Sequence, residues 1–379
     1  MTHKHHVAYL DSMRGLAAMA VISEHYVIAY GLPCQAQRCQ QILDTPPFNF
    51  WWDGGAAVSM FFVLSGMVLS LKYFRSGLHP DLTHFNLLNY ILARLSRLWP
   101  PYLAVLALSG LLYLKASDIP FDSIILPANA WLTEMWRANP LTPQQMISEA
   151  MLLKMPDNII LLPQAWTLTI ELVLSLLLPL GLLLAERGIV WLLFFSGLAV
   201  TLLGVSPFLW HFLIGLMIAK HYTALTGYLG MKRWRRWLVL LIAIVFYTSG
   251  GLFQHLDIRE SIVWASSGFG AALILLFASS SENTQAVLTH PILRQIGRVS
   301  YSAYLIHMLI LLCVTPRILH WLEPILVGHL ALWLGGYLMS VIVILGLSVI
   351  GYYFLEIPSI SLGRRITNFK DWLKTNTVF

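Results

Sequence analysis

About ten apolar runs, each near the length that crosses a bilayer, recur along this chain. They cover 8–30, 55–73, 98–115, 161–184, 188–203, 206–222, 236–254, 261–280, 299–315 and 328–354. A spanning helix takes ~20 residues, and inside lipid only helices and closed barrels satisfy their own backbone hydrogen bonds. A barrel would alternate apolar and polar residues in segments of about ten, whereas these runs are continuous. Hydrophobic residues make up 58% of the chain and charged ones 11%, with mean hydropathy +0.70; a soluble domain carries ~25% charged residues. The expected fold is an all-α polytopic membrane protein of about ten transmembrane helices. Residues 1–379 read as a single integral membrane domain with a short basic tail at about 357–379.

The net charge of +6 is explained by topology rather than by nucleic acid, because the basic residues sit between the runs. With the N-terminus inside, 17 of the 24 Lys and Arg fall on the cytoplasmic side and 6 on the outer side, with Arg14 inside a span. That asymmetry sets both termini in the cytoplasm. Cys34 and Cys39 then lie in an outer loop, where a disulfide is favoured in an oxidising compartment; two unpaired thiols are the alternative. The loop 116–160 holds several prolines and apolar patches, and reads as short helices on or dipping into the membrane.

The first run is unusual in its polar content. YLDSMRGLAAMAVISEHYVIAY carries Asp11, Arg14, Glu24 and His25, although an ionisable residue at the centre of a span costs ~2.5–3.5 kcal/mol on the insertion scale. Eleven residues separate Arg14 from His25, which returns them to nearly one helix face ~16 Å apart. Arg14 is expected near the inner surface and His25 near the outer. Glu171, early in AWTLTIELVLSLLLP, is expected at a depth similar to His25, as a carboxylate that orients a general base. Glu24 is the competing carboxylate, turned ~100° aside on the same helix.

Arg94 and Arg97 in LARLSRLWPPY stand at i and i+3 at the entry to the third span. Paired guanidinium forks suit phosphate groups; a positive-inside anchor is the plainer reading. Ser65, Tyr301 and His307 are candidate cavity-lining residues, with helix packing and ordinary interhelical hydrogen bonds as alternatives. Glu356 is expected in a salt bridge. No P-loop, dinucleotide glycine pattern, GxSxG motif or metal-ligand spacing occurs, so no metal is expected.

Taken in order, YLDSMRGLAAMAVISEHY, FFVLSG, ARLSRLWPPY, AWTLTIELVLSLLLP, GRVSYSAYLIH and YYFLEIPS resemble the integral membrane acyltransferase family 3, which includes bacterial O-acetyltransferases of lipopolysaccharide and other surface glycans. The resemblance is to its stand-alone type and implies a multi-pass plasma (inner) membrane location. It implies Arg14 and His25 as an essential pair, Arg94 and Arg97 in donor binding, and Glu171 as the acidic residue. Acetyl-CoA or another acyl-CoA is then the cytoplasmic donor and an extracytoplasmic carbohydrate the acceptor, with membrane lipid as surroundings and no permanently bound cofactor. His25 would be the general base, a covalent acyl-imidazole being a variant, and Ser and Tyr side chains of the ninth run are candidate oxyanion donors. Leu172 stands where a second acidic residue is common, so a carboxylate pair is not expected. The competing class is a proton-coupled transporter or exporter of a glycan or lipid-linked sugar.

Overall fold

The computed structural model describes residues 5–75, 77–83, 85–115, 119, 126, 128–136, 141–152, 159–230, 232–250 and 259–376, without the side chains of 5–7 and 368–376. The described residues form helices and no strand. In chain order these are α1 (His5–Tyr30), α2 (Gln37–Leu43), α3 (Gly54–Leu71), α4 (Leu87–Tyr113), α5 (Ala130–Glu134), α6 (Pro143–Met151), α7 (Ala165–Arg187), α8 (Ile189–Leu202), α9 (Leu209–Lys220), α10 (Tyr222–Gly230), α11 (Arg233–Tyr247), α12 (Glu260–Ser279), α13 (Glu282–Leu288), α14 (Pro291–Leu309), α15 (Thr315–Leu322), α16 (His329–Gly351) and α17 (Ile357–Asn376). π-helical turns at Ile310–Val314 and Tyr352–Glu356 join α14 to α15 and α16 to α17.

Each apolar run falls on a helix, with 251–254 of the seventh outside the described residues. Six helical stretches are long and apolar enough to cross a membrane: Gly54–Leu71, Leu87–Tyr113, Ala165–Arg187, Glu260–Ser279, Pro291–Leu322 and His329–Thr367. The chain is a multi-pass membrane protein. Two shorter apolar helices, α8 and α9, accompany them. α1 has the length, at 26 residues, but Asp11, Arg14, Glu24 and His25 dilute its hydropathy.

The third span differs from the sequence expectation. α4 begins at Leu87, eleven residues before 98, with the Asn86 side chain accepting from the Asn89 N–H at 3.1 Å. Pro100 and Pro101 lie inside it; neighbouring groups in membrane bundles can re-satisfy the carbonyls that proline frees. Arg94 and Arg97 are therefore inside a helix rather than at its entry. The basic tail also continues as helix, α17.

The described chain divides into two compact units. The first comprises Met1–His25, Cys34–Thr83 and Leu177–Arg298. Its α3 and α9 meet backbone to backbone: a Cβ at Gly66 would stand 1.9 Å from the Phe212 carbonyl oxygen, and one at Gly215 would stand 2.0 Å from that of Val63. Gly15 of α1 meets Gly297 in the same way, at 2.7 Å from its nitrogen. Small residues at such crossings allow the close approach that drives helix association in lipid. Cys34 and Cys39 are joined by a disulfide.

The second unit comprises Tyr26–Pro33, His84–Leu176 and Val299–Phe379. The Tyr26 ring packs edge-on against Trp333, with centroids 5.2 Å apart. The Trp333 indole donates to Gly31 O at 2.8 Å, and the Tyr30 hydroxyl donates to Leu311 O at 2.6 Å. Ser359 of α17 donates to Ser96 O on α4. α6, in the long loop, carries a capping box between Thr142 and Gln145. Its buried Glu149 accepts from the Ile160 N–H at 2.7 Å and the Leu161 N–H at 3.2 Å, clamping the chain before α7. Burial pushes the Glu149 carboxyl up, and these amides oppose the shift.

Candidate functional site

Of the residues singled out from the sequence, Arg14, His25 and Ser65 belong to the first unit. Arg94, Arg97, Glu171, Tyr301 and His307 belong to the second. In the first unit the continuous helix α1 carries Arg14 and His25 at opposite ends of a ~16 Å rise. Arg14 is mostly buried and pairs with Asp11, one turn earlier, at 3.3 Å. The His25 Nδ1 lies 3.0 Å from Val21 O. A carbonyl oxygen only accepts, so Nδ1 carries the proton and the neutral ring has its basic lone pair on Nε2. A backbone carbonyl thus orients the ring through Nδ1. Ser65 is buried in α3.

Glu24, next to His25, has a definite place. Its carboxyl accepts from the backbone N–H groups of Gly54 and Gly55, and a Cβ at Gly54 would stand 1.7 Å from Glu24 Oε2. It thus satisfies amides at the start of α3 that have no carbonyl of their own helix to reach. Asp53 caps the same helix end, accepting from the Ala56 N–H at 2.9 Å. Burial pushes the Asp53 carboxyl up to about 6, with the Ala56 N–H opposing. Asn49 Nδ2 lies 3.0 Å from Thr248 O and 3.5 Å from Asp53 Oδ2. Sequence reasoning missed Asp53, although Asp53-Gly54-Gly55 ahead of an apolar run is a helix-start signature.

In the second unit Tyr301 is the centre of a polar cluster. Its hydroxyl donates to Leu98 O at 2.6 Å, and Glu171, Glu356, Arg97 and Tyr102 are its charged and polar neighbours. Three residues singled out from sequence, Arg97, Glu171 and Tyr301, thus share one neighbourhood. From the sequence, Arg97 and Glu171 are expected toward opposite surfaces. The early start of α4 explains the difference, since it puts Arg97 nearly three turns into its helix. The single proton of the Tyr301 hydroxyl is committed to Leu98 O, which differs from its expected use as an oxyanion donor. Glu356 accepts from the backbone N–H and hydroxyl of Ser302 at 2.9 and 2.5 Å.

His307 is fully buried, with Nδ1 2.7 Å from Tyr304 O. Tyr304 in turn shares a 2.5 Å hydrogen bond with Thr167, and Gln164 Nε2 donates to Leu305 O at 2.9 Å. These contacts fasten the start of α7 to α14, and so fix the backbone from which Glu171 projects. Arg94 is half-buried one turn before Arg97.

No curated protein and no solved structure matched the chain. A family model described as an acyltransferase domain matches residues 7–353, nearly the whole chain, from α1 through α16. The chain belongs to the integral membrane acyltransferase family 3.

Proposed function

We propose that this membrane acyltransferase takes an acetyl or other short acyl group from a cytoplasmic acyl-CoA and esterifies a hydroxyl of an extracytoplasmic glycan, such as lipopolysaccharide O-antigen, at a bacterial inner membrane. The observation that carries this reading is the His25–Val21 hydrogen bond, which holds the proton on Nδ1 and so makes Nε2 the basic nitrogen of an imidazole in an apolar helix. Nε2 accepts the acceptor's hydroxyl proton as its oxygen attacks the thioester carbonyl. The tetrahedral adduct collapses, the C–S bond breaks with its electron pair on sulfur, and the imidazolium returns the proton to the thiolate. The products are an ester and free CoA thiol.

Arg14 and the α4 arginines, Arg94 and Arg97, are the candidate donor contacts. Glu171 is assigned the carboxylate that balances Arg97 around Tyr301. Both termini lie in the cytoplasm in this reading.

The test is thioester consumption by purified protein, followed as free thiol, with and without polysaccharide. Acceptor-dependent thiol release that is lost in His25→Ala supports the reading. Acceptor movement across proteoliposomes without thiol release would instead make the chain a transporter.

A further inference from the structure

Lys232, Arg233, Arg235 and Arg236 crowd the start of α11, in the run KRWRRW of the first unit. Two of them are held by their surroundings. Arg235 lies across the Tyr228 ring of α10, 4.3 Å from its centroid. Arg236 donates to Ser280 O, just past the end of α12, at 3.3 Å. A guanidinium carries five donors, so each keeps others to give. Lys232 and Arg233 are exposed. Among the described residues none of the four forms a salt bridge, and Glu282, two residues beyond Ser280, forms none either. Like charges at i and i+3 repel one another on a helix, so Arg233 and Arg236 share a side at a cost that a bound anion would relieve.

Beyond these charges the same side of α11 is apolar. Arg233, Trp237, Leu241 and Val245 follow one another in steps of four, with Trp234 beside them, and all are exposed. Steps of four keep to one side of a helix. The Trp237 ring also meets Phe277 of α12, with centroids 5.9 Å apart. In a multi-pass membrane protein an exposed apolar helix face lies against acyl chains, and tryptophans at its end mark the headgroup level. The cations of α11 therefore stand where lipid phosphates stand, at the end of the face that the tails cover.

We propose that the start of α11 is a binding site for an anionic phospholipid, its phosphate on Lys232, Arg233 and Arg236 and its tails along the face from Trp237 to Val245. Guanidinium forks match phosphate oxygens in pairs, and basic clusters flanking a membrane helix attract anionic headgroups. A free phosphate offers the same oxygens but nothing to cover Trp237, Leu241 and Val245, so the lipid is the occupant that uses both halves of the site. The site is independent of the acyl-CoA reading and needs only the membrane location.

The test is lipid binding to purified protein in a neutral detergent, measured by native mass spectrometry with dioleoylphosphatidylglycerol. Dioleoylphosphatidylcholine is the comparison, because it carries the same phosphate with a balancing cation. The variants are Lys232→Gln, Arg233→Gln, the two combined, and the charge-keeping Arg233→Lys, with thermal unfolding as the check on folding. Wild type is expected to prefer phosphatidylglycerol. Each charge removed should weaken that lipid by about fivefold and leave phosphatidylcholine unchanged, while Arg233→Lys stays near wild type. If the combined variant does not fold, the single variants carry the same comparison. Unchanged phosphatidylglycerol affinity in the folded variants overturns the site, as does equal affinity of wild type for the two lipids. Displacement of phosphatidylglycerol by inorganic phosphate or by CoA makes the site one for soluble phosphates and also overturns the proposal.

Discussion

His25 Nδ1 is hydrogen-bonded to the carbonyl of Val21, one turn earlier on α1, at 3.0 Å. A carbonyl oxygen only accepts, so this contact puts the proton on Nδ1 and the basic lone pair on Nε2. His25→Asn keeps an N–H donor near the position of Nδ1 and removes the base. It is expected to lower acyl transfer by about 10²–10⁴-fold while leaving the unfolding temperature near that of wild type, as measured by thiol release and thermal unfolding in detergent. A variant that retains most of its activity would remove His25 from the chemistry.

Asp53 couples stability to pH. Its carboxyl rises from 3.8 to about 6 on folding, so the fold favours the protonated form. The stabilisation is full below the unfolded value of 3.8 and is lost as pH climbs through about 6. Asp53→Asn keeps the cap acceptor for Ala56 and cannot ionise. Its stability relative to wild type should improve by up to about 3 kcal/mol between about pH 4 and pH 7.5, read from paired melting curves. A constant difference across that range would contradict the assignment.

Much of this architecture is legible in the sequence, and the failures have specific causes. The apolar runs found their helices because lipid permits little else. Pro100 and Pro101 masked the early start of α4, since proline marks a helix start in water but sits inside helices in membrane bundles. Arg14 and His25 were readable from a spacing of eleven on one helix. Asp53 lay in plain view as a capping signature yet carried no chemical motif. The Tyr301 cluster joins residues far apart in sequence, so no spacing rule could assemble it.

Gly215 and Gly66 make the α3–α9 crossing possible. A methyl group at Gly215 would meet Val63 O at 2.0 Å and Met67 N at 2.7 Å. These are backbone atoms and cannot swing aside. Gly215→Ala is expected to destabilise by about 1–3 kcal/mol or more, whereas Gly197→Ala, with nothing within 4 Å, should be neutral or mildly stabilising. Equal melting temperatures for the two variants would contradict the packing.

Glu149 tests the loop clamp. Glu149→Ala leaves the Ile160 and Leu161 amides, both buried, without their acceptor, at a cost of about 1–3 kcal/mol for each orphaned group. Glu149→Gln keeps one acceptor oxygen and should lose less. The expected result is faster proteolysis in the 137–160 region for Ala than for Gln or wild type. Identical cleavage rates would show that the carboxylate does not hold the loop.

The measurement that reaches the central claim most directly is proton NMR of surface polysaccharide from cells expressing wild type, His25→Ala or no copy, with membrane protein levels matched by immunoblot. Acyl signals are expected with wild type only, at a hydroxyl position the spectrum identifies. Full acylation in the His25→Ala cells at equal protein level would contradict the role of His25, and polysaccharide that wild type leaves unacylated would contradict the glycan acceptor.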